Sequence, residues 1–544
     1  MEEALTPVSS DWRLAAGTFV SGVLLHQMIF RHGEWHLYAL HIIVTYSALP
    51  IILLLCSENI SSLAAGNILL SRSTIVRTTL CHLSGVSSSI LIYRAFFHPL
   101  GRFPGPFLAR LSAAYKVSLG QNLSLYMEVR KLHQQYGDIV RLGPGELSLA
   151  SPAAVRKVHW PQATPRKGPL YDQGYPRVSL ETTRDIQEHA QLRKIWDPAF
   201  NTRALRDYSH RVQKHATRLL EVFDRDLGQP INITRWLNYY SFDIMGDLAF
   251  GKSFDMLVDG RDHYLLSVMH DNMKAFALIG PLIWAFPLLV RIPFLNSASE
   301  HFWKFVGDQI SWHIFHWILQ GFGDRVHTKK GMMDLEAEAQ LVIVAGSDTT
   351  ASTLTNAIFE LLSRPQQIDM LRAEFKQQIN RDIAEIAPED LVNLPNLNAV
   401  INETLRLHPP VLSGVQRKTP PGGMQLGETF IPEDTIIQIP FYTMFRDKRC
   451  FQHPNSFIPE RWTDQPELII DASVFVPFNK GTYSCVGKQL ALMELRWVLT
   501  MVFTQYDIEF APEHDSKAYL DGTMDGFTAV CAPLYVRLSR RESD

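Results

Sequence analysis

The 544-residue chain is poor in cysteine and in net charge, and each shortage excludes something. Its five cysteines, Cys56, Cys81, Cys450, Cys485 and Cys531, include no C-x-x-C pair and no zinc-ligand spacing, so neither a zinc ribbon nor a dithiol redox motif is written here. Such sparse usage suits a reducing compartment for the globular part. The formal net charge is −3, which leaves no argument for a nucleic-acid partner. Between Pro106 and Asp544 there is no low-complexity linker and no fixed-period repeat, which favours one large domain. With 46% hydrophobic and 20% charged residues, that domain can bury a large core.

Long apolar runs, by contrast, crowd the first hundred residues. Leu14 to Phe30 is apolar except for Thr18, Ser21, His26 and Gln27, Tyr38 to Cys56 carries no charge, and Thr79 to Phe97 carries only Arg94. Each is near the length that crosses a bilayer, and Trp35 and Tyr38 stand where interfacial aromatics belong. No A-x-A cleavage pattern follows the first run, against a signal peptide. Three spans set the chain ends on opposite sides of the membrane. Asn59-Ile60-Ser61, an N-x-[S/T] pattern, then falls in a loop on the N-terminal side. Arg72 and Arg77 share that loop, against the positive-inside tendency. Phe97-His98-Pro99-Leu100-Gly101-Arg102-Phe103-Pro104-Gly105-Pro106 is too rich in proline and glycine for a helix or strand interior. The expected organisation is an anchor over 1–97 with up to three transmembrane helices, a proline-rich hinge over 98–106 and a globular domain over 107–544. Within the latter, Val140-Arg141-Leu142 and Glu146-Leu147-Ser148-Leu149 read as a hairpin around Gly143-Pro144-Gly145.

Three motifs follow in order. Ala345-Gly346-Ser347-Asp348-Thr349-Thr350 lies in a helix expected over Leu335 to Ser363. Gly346 costs such a helix about 1 kcal/mol relative to alanine, and the Thr349 hydroxyl can bond the Ala345 carbonyl and open the helix there. Taken alone, the same residues also suit a polar helix face. Glu403-Thr404-Leu405-Arg406 puts a carboxylate and a guanidinium on one helical face, with His408-Pro409-Pro410 stopping the helix and Pro459-Glu460-Arg461-Trp462 downstream. Last, Phe478-Asn479-Lys480-Gly481-Thr482-Tyr483-Ser484-Cys485-Val486-Gly487 sets a cysteine in a glycine-bearing turn before a helical stretch, Lys488 to Leu495. Backbone N–H groups at that helix start favour a thiolate. A buried structural cysteine is the other reading of this loop alone.

In this order the motifs resemble the cytochrome P450 family, whose haem loop has the pattern F-x-x-G-x-x-x-C-x-G. The resemblance covers Leu91 to Asp544 and is strongest to fungal microsomal monooxygenases of secondary metabolism. It implies a mainly α fold with small β-sheets, preceded by N-terminal transmembrane helices. It implies haem b, with Cys485 as the axial ligand of the iron, Phe478, Gly481 and Gly487 shaping the loop, and Ala345 and Gly346 leaving room for dioxygen. Asp348 and Thr349 then match the acid–alcohol pair that relays protons, and Glu403, Arg406 and Arg461 the network that braces the haem loop. His189 and Arg193 match a W-x-x-x-R position with His replacing Trp, and with Arg417 they are expected to hold the two propionates. Tyr483 departs from the family, which usually has Arg or His there, so Arg193 and Arg417 carry more of that task.

The resemblance further implies a membrane-bound monooxygenase that inserts one oxygen atom of O2 into a lipophilic small molecule, as a tailoring step in secondary metabolism. Electrons are expected from NADPH through cytochrome P450 reductase, which could dock on Lys480, Lys488, Arg193 and Lys194. The expected location is the endoplasmic reticulum membrane, with the catalytic domain facing the cytosol. Arg166 to Arg184, Val411 to Val415 and Met524 to Thr528 are expected at the substrate pocket. Phe276 to Leu295, broken by Gly280, Pro281, Pro287 and Pro293, reads as a membrane-dipping lid. Two alternatives stand beside this reading: a haem-thiolate isomerase or dehydratase that needs no reductase, and a non-catalytic haem-binding membrane protein. Asp348-Thr349 argues against the first, and an oxygen notch and lid against the second.

Overall fold

The computed structural model describes residues 8–63, 71–289, 302–307, 314–379 and 386–541, with backbone alone for 8–11, 57–63 and 314–315. The chain divides into two compact units, one of Met1–Tyr115, Arg141–Gly145 and Leu282–Asn296, the other of Lys116–Val140, Glu146–Pro281 and Ser297–Asp544.

The first unit holds three helices long and apolar enough to cross a membrane, over Trp12–Phe30, His36–Cys56 and Arg72–Phe97. The first and third run parallel, because Ser21 Oγ meets His82 Nδ1 at 2.9 Å and His26 Nδ1 meets Ser89 Oγ at 2.8 Å. Their backbones nearly touch. A Cβ at Gly22 would lie 2.2 Å from the His82 carbonyl oxygen, and one at Gly85 2.1 Å from that of Phe19. Small residues permit such contact, and hydroxyl–imidazole bonds reinforce it where water is absent. Tyr46 OH on His82 Nε2 at 3.1 Å ties in the second span. The backbone of Asn59 continues the helix Ala39–Leu63 rather than forming the expected loop, and its side chain lies outside the described residues. In the hinge, Pro99–Arg102 makes a 3-10 turn. Gly105 at φ +150° presses against Arg141, whose carbonyl oxygen would lie 2.6 Å from an added Cβ. The short helix Phe286–Leu289 packs on the second span. Residues 290–295 of the expected lid lie outside the described residues.

The second unit is mainly helical. Helices Ile233–Phe250 and Lys329–Leu362 pack together at its centre with most of their residues buried. The longer one starts earlier than expected, because Thr328 Oγ1 accepts the Gly331 N–H at 3.0 Å and caps it. It passes through Ala345–Thr350 unbroken, so the opening expected at Thr349 does not interrupt the helix. Helix Tyr264–Ile279 buries Leu265, Leu266, Met269 and Met273, then gives way to the 3-10 segment Gly280–Ala285. Although Tyr264–Leu289 is also long and apolar enough to cross a membrane, this bend keeps it from being one straight helix. Strands Ile139–Gly143 and Glu146–Leu149 form where the hairpin is expected. Glu146–Leu149 pairs in parallel with Ile436–Gln438, which pairs antiparallel with Gln416–Lys418, which pairs with Arg166–Lys167. That last register sets Lys167 directly across from Arg417.

Candidate active site

The second unit encloses a cavity of about 300 Å³, within the usual size of a small-molecule site. Its lining includes Cys485, Phe478, Gly487, Ala345, Gly346, Thr349, His189, Arg193 and Arg417. The structure thus brings nine expected residues into one space.

Local geometry explains the cysteine loop. The Cys485 N–H donates to the Phe478 carbonyl at 2.8 Å and closes the turn. Asn479 at φ +53° and Gly481 at φ +69° bend it in the left-handed region. At Gly481 a Cβ would also sit 2.7 Å from Pro161 Cα, so only glycine fits. Gly481 shapes the loop without lining the cavity. Gly487, at φ −80°, has no such conformational need. The Cys485 sulfur is exposed on to the cavity. Burial pushes its thiol up, opposed by the Gly487 and Lys488 N–H groups and by the charges of Arg193 and Lys488. The helix start therefore favours the thiolate as expected, but burial outweighs it. A bound metal cation would reverse that balance.

Thr349 Oγ1 donates to the Ala345 carbonyl at 2.7 Å, one turn back on Lys329–Leu362. The place of the missing side chain at Gly346 is taken by Met245, whose sulfur would lie 2.5 Å from an added Cβ. The gap beside Gly346 is therefore filled by a side chain, not left open. Asp348, one residue before Thr349 and about 100° round the helix, leaves the cavity lining altogether. Its Oδ1 is 3.2 Å from His270 Nε2, and its Oδ2 accepts from Thr528 Oγ1 at 3.4 Å. It borders a separate polar space of about 10 Å³ with Asn238, Ser352 and Thr355, room for about one water. The acid and the alcohol do not share one space.

Positive charge collects at another part of the lining. Lys167 and Arg417 face each other across the strands, two like charges that repel, with Glu181 of the same lining acting on both. Tyr483 packs its ring 4.7 Å from the Arg417 guanidinium, 5.2 Å from Lys167 Nζ and 4.9 Å from the His189 ring. It is the hub on which the basic groups stack. Burial, then the charges of Lys167, Arg193 and Arg417, pull His189 down to about 4, which favours its neutral form. Arg193 is turned partly outward, donating to the Ser484 carbonyl and to Asp197 Oδ1, both at 2.6 Å. Arg417 Nε and His189 Nδ1 are buried with no partner. Two orphaned polar atoms, the buried cations Lys167 and Arg417, an open cysteine sulfur and largely apolar walls fit a flat, dianionic, iron-bearing cofactor.

Behind the site, Arg406 binds Glu403 through Nε at 2.9 Å and Nη2 at 2.8 Å, and Arg461 Nε reaches Glu403 Oε1 at 3.0 Å. Trp462 Nε1 and the Ile458 N–H add donors at 3.0 and 2.9 Å. All three charged side chains are fully buried.

Sequence reasoning assigned Lys167 only to a substrate segment, and missed Trp196 and Glu494, which also line the cavity. The Lys167 role depends on its strand pairing with Arg417, distant in sequence, so no local signal marks it. Glu494 lies in the second turn of the helix after Cys485, and burial raises it well above the usual carboxylate range. Of the expected substrate segments, Lys167, Tyr171, Leu180 and Glu181 line the cavity, as do Val411 and Val415, but Met524 to Thr528 does not. Phe527 instead packs on Phe276 at 5.5 Å.

The Cytochrome P450 family model matches residues 104–313 and 321–535. The chain is similar to cytochrome P450 monooxygenase FCK2 of Fusarium pseudograminearum, 42% identical over 537 residues, covering 96% of this chain and 97% of that one. Cytochrome P450 monooxygenase orf5 of Eupenicillium brefeldianum is 42% identical, covering 87% of this chain and 98% of its own length. Tryprostatin B 6-hydroxylase of Aspergillus fumigatus is 35% identical, covering 96% and 95%.

Proposed function

Since this chain belongs to the cytochrome P450 family and is a membrane-associated monooxygenase, we propose that Cys485 is the axial ligand of its haem iron. The single observation that carries this is a cysteine sulfur opening into the same cavity as Thr349, Lys167 and Arg417, with the buried Arg417 Nε and His189 Nδ1 left without partners. When bound, haem b supplies reductive activation of dioxygen and insertion of one oxygen atom into substrate. The chain does the rest. Lys167 and Arg417, with His189 as a neutral donor, hold the propionates, while Arg193 steadies the Cys485 loop through the Ser484 carbonyl. Thr349 presents its Oγ1 to the cavity as a proton or hydrogen-bond donor, while Asp348, held by His270 and Thr528, stays outside the lining. Trp196, Phe200, Met245, Leu341 and Val342 make the lining apolar, which suits a lipophilic substrate in a tailoring step of secondary metabolism. Electrons come from NADPH through cytochrome P450 reductase. The test is a host with and without this chain grown under ¹⁸O2. A metabolite confined to the first host and carrying one heavy oxygen supports the reading, and unlabelled products alone overturn it.

Thr349→Ala is expected to keep haem but lose product on the order of 10²-fold while peroxide per NADPH rises, because a positioned proton donor is worth about that much. An unchanged product yield per NADPH would leave Thr349 as a helix residue only.

The anchor is proposed to sit in the endoplasmic reticulum, with the N-terminus lumenal and the catalytic domain cytosolic. In sealed microsomes, protease is expected to remove a tag at Asp544 and spare one at Met1. The reverse pattern would invert the orientation, and loss of both would require an even number of spans.

A further inference from the structure

Where the third span leaves the membrane, the first unit gathers cations without counter-charge. No Asp or Glu occurs between residues 59 and 127. Because the first and third spans run parallel, Arg31 and Arg94 lie at the same end, and the Arg31 guanidinium stacks 4.5 Å from the Tyr93 ring. Arg94 Nη1 donates to the Leu111 carbonyl at 2.9 Å, next to Arg110, and Arg141 Nη2 lies 3.4 Å from the Arg94 carbonyl. Arg141 is fully buried, yet its Nη1 has no partner, and neither has the buried Nε of Arg110. Among the described residues none of these four arginines forms an ion pair. His98 in the same place is pulled down to about 4 by burial and by Arg141, Arg94 and Arg31, which registers the positive potential. Buried charge left unpaired is costly, so an anion belongs there. Its other half is written beside it: Phe96, Phe97, Phe107 and Leu108 are exposed, an apolar rim at the end of a span.

We propose that Arg94, Arg110 and Arg141, with Arg31 beside them, bind the phosphate of an anionic membrane phospholipid whose acyl chains lie against Phe96, Phe97, Phe107 and Leu108. Guanidinium groups suit phosphate through paired donors, and basic segments at a span's exit attract anionic headgroups. The site stands apart from the haem cavity and does not depend on its chemistry.

The test uses the purified full-length protein in detergent, titrated with phosphatidic acid or phosphatidylcholine of matched acyl chains and read by native mass spectrometry. Phosphatidic acid is expected to bind at least about tenfold tighter, and Arg94→Gln with Arg110→Gln to erase the difference. Arg141 is left intact because it also holds the Gly143 and Pro144 carbonyls of the turn. Arg110→Gln alone, at a side chain with no described hydrogen-bond or ion-pair partner, is expected to cut the preference several-fold without loss of folding. Equal binding of the two lipids, or a preference that survives the double variant, would overturn the site. Inorganic phosphate matching phosphatidic acid in thermal protection would point to a soluble anion and overturn the lipid assignment.

Discussion

Cys485→Ala is expected to abolish the reduced-carbonyl absorption of thiolate-bound haem together with all turnover, leaving a folded apoprotein or one with a displaced band. The five cysteines differ enough to make this a sharp test. Cys450 is fully buried, and burial with the charges of Asp447 and Asp471 pushes its thiol up to about 12. Cys531, also pushed up to about 12 by burial, is held by Asn356 Nδ2 at 3.3 Å and borders the small polar space behind Asp348. Cys56 and Cys81 lie in the spans. Only Cys485 lines the large cavity among the described residues, and there the Gly487 and Lys488 N–H groups and the charges of Arg193 and Lys488 pull toward the thiolate. Cys450→Ala and Cys531→Ala should therefore keep the band. A Cys485→Ala protein that retained it would move the ligand elsewhere and remove the basis of the proposed chemistry.

What the sequence revealed and what it hid divide along a physical line. The Cys485 loop, the helix through Thr349 and the Glu403–Arg406 pair are each made by neighbours in sequence, so spacing alone exposes them. The Thr349 to Ala345 bond, for instance, is a property of one helical turn. Other features depend on contacts between distant segments. Whether Gly346 opens a gap depends on Met245, and which way Asp348 turns on His270 and Thr528. Lys167 joins the cation group only because its short strand pairs with Arg417. His189 shows the same limit in electrostatics: its place on the helix is readable, but its charge state is set by burial and three surrounding cations.

Glu403→Gln is expected to destabilise the second unit by about 3–5 kcal/mol, the usual cost of breaking a fully buried ion pair from one side. The carboxylate accepts from two arginines, one indole and one backbone N–H. Glutamine keeps the shape but offers one oxygen and removes the charge, so Arg406 and Arg461 are left as buried cations with no acid between them. Against a typical total stability of 5–15 kcal/mol, that loss is a large fraction. The two arginines also fix the chain by other bonds. Arg406 Nη1 donates to the Phe445 and Pro454 carbonyls, both at 2.7 Å, and Arg461 Nη1 to the Gln452 carbonyl at 3.0 Å. The segment they hold leads to Trp462, which packs on Phe475 at 4.6 Å, three residues before the cysteine loop begins at Phe478. Loosening it should reach Cys485, so the variant is expected to lose haem at a lower denaturant concentration than it loses helix. Arg461→Ala should cost less, since Arg406, Trp462 and the Ile458 N–H still hold the Glu403 carboxylate and only the Arg461 bonds to Glu403 and the Gln452 carbonyl are lost. Denaturation followed at once by far-ultraviolet circular dichroism and by haem absorption makes the comparison. Coincident transitions at the parent's midpoint would reduce this cluster to core packing without a bracing role.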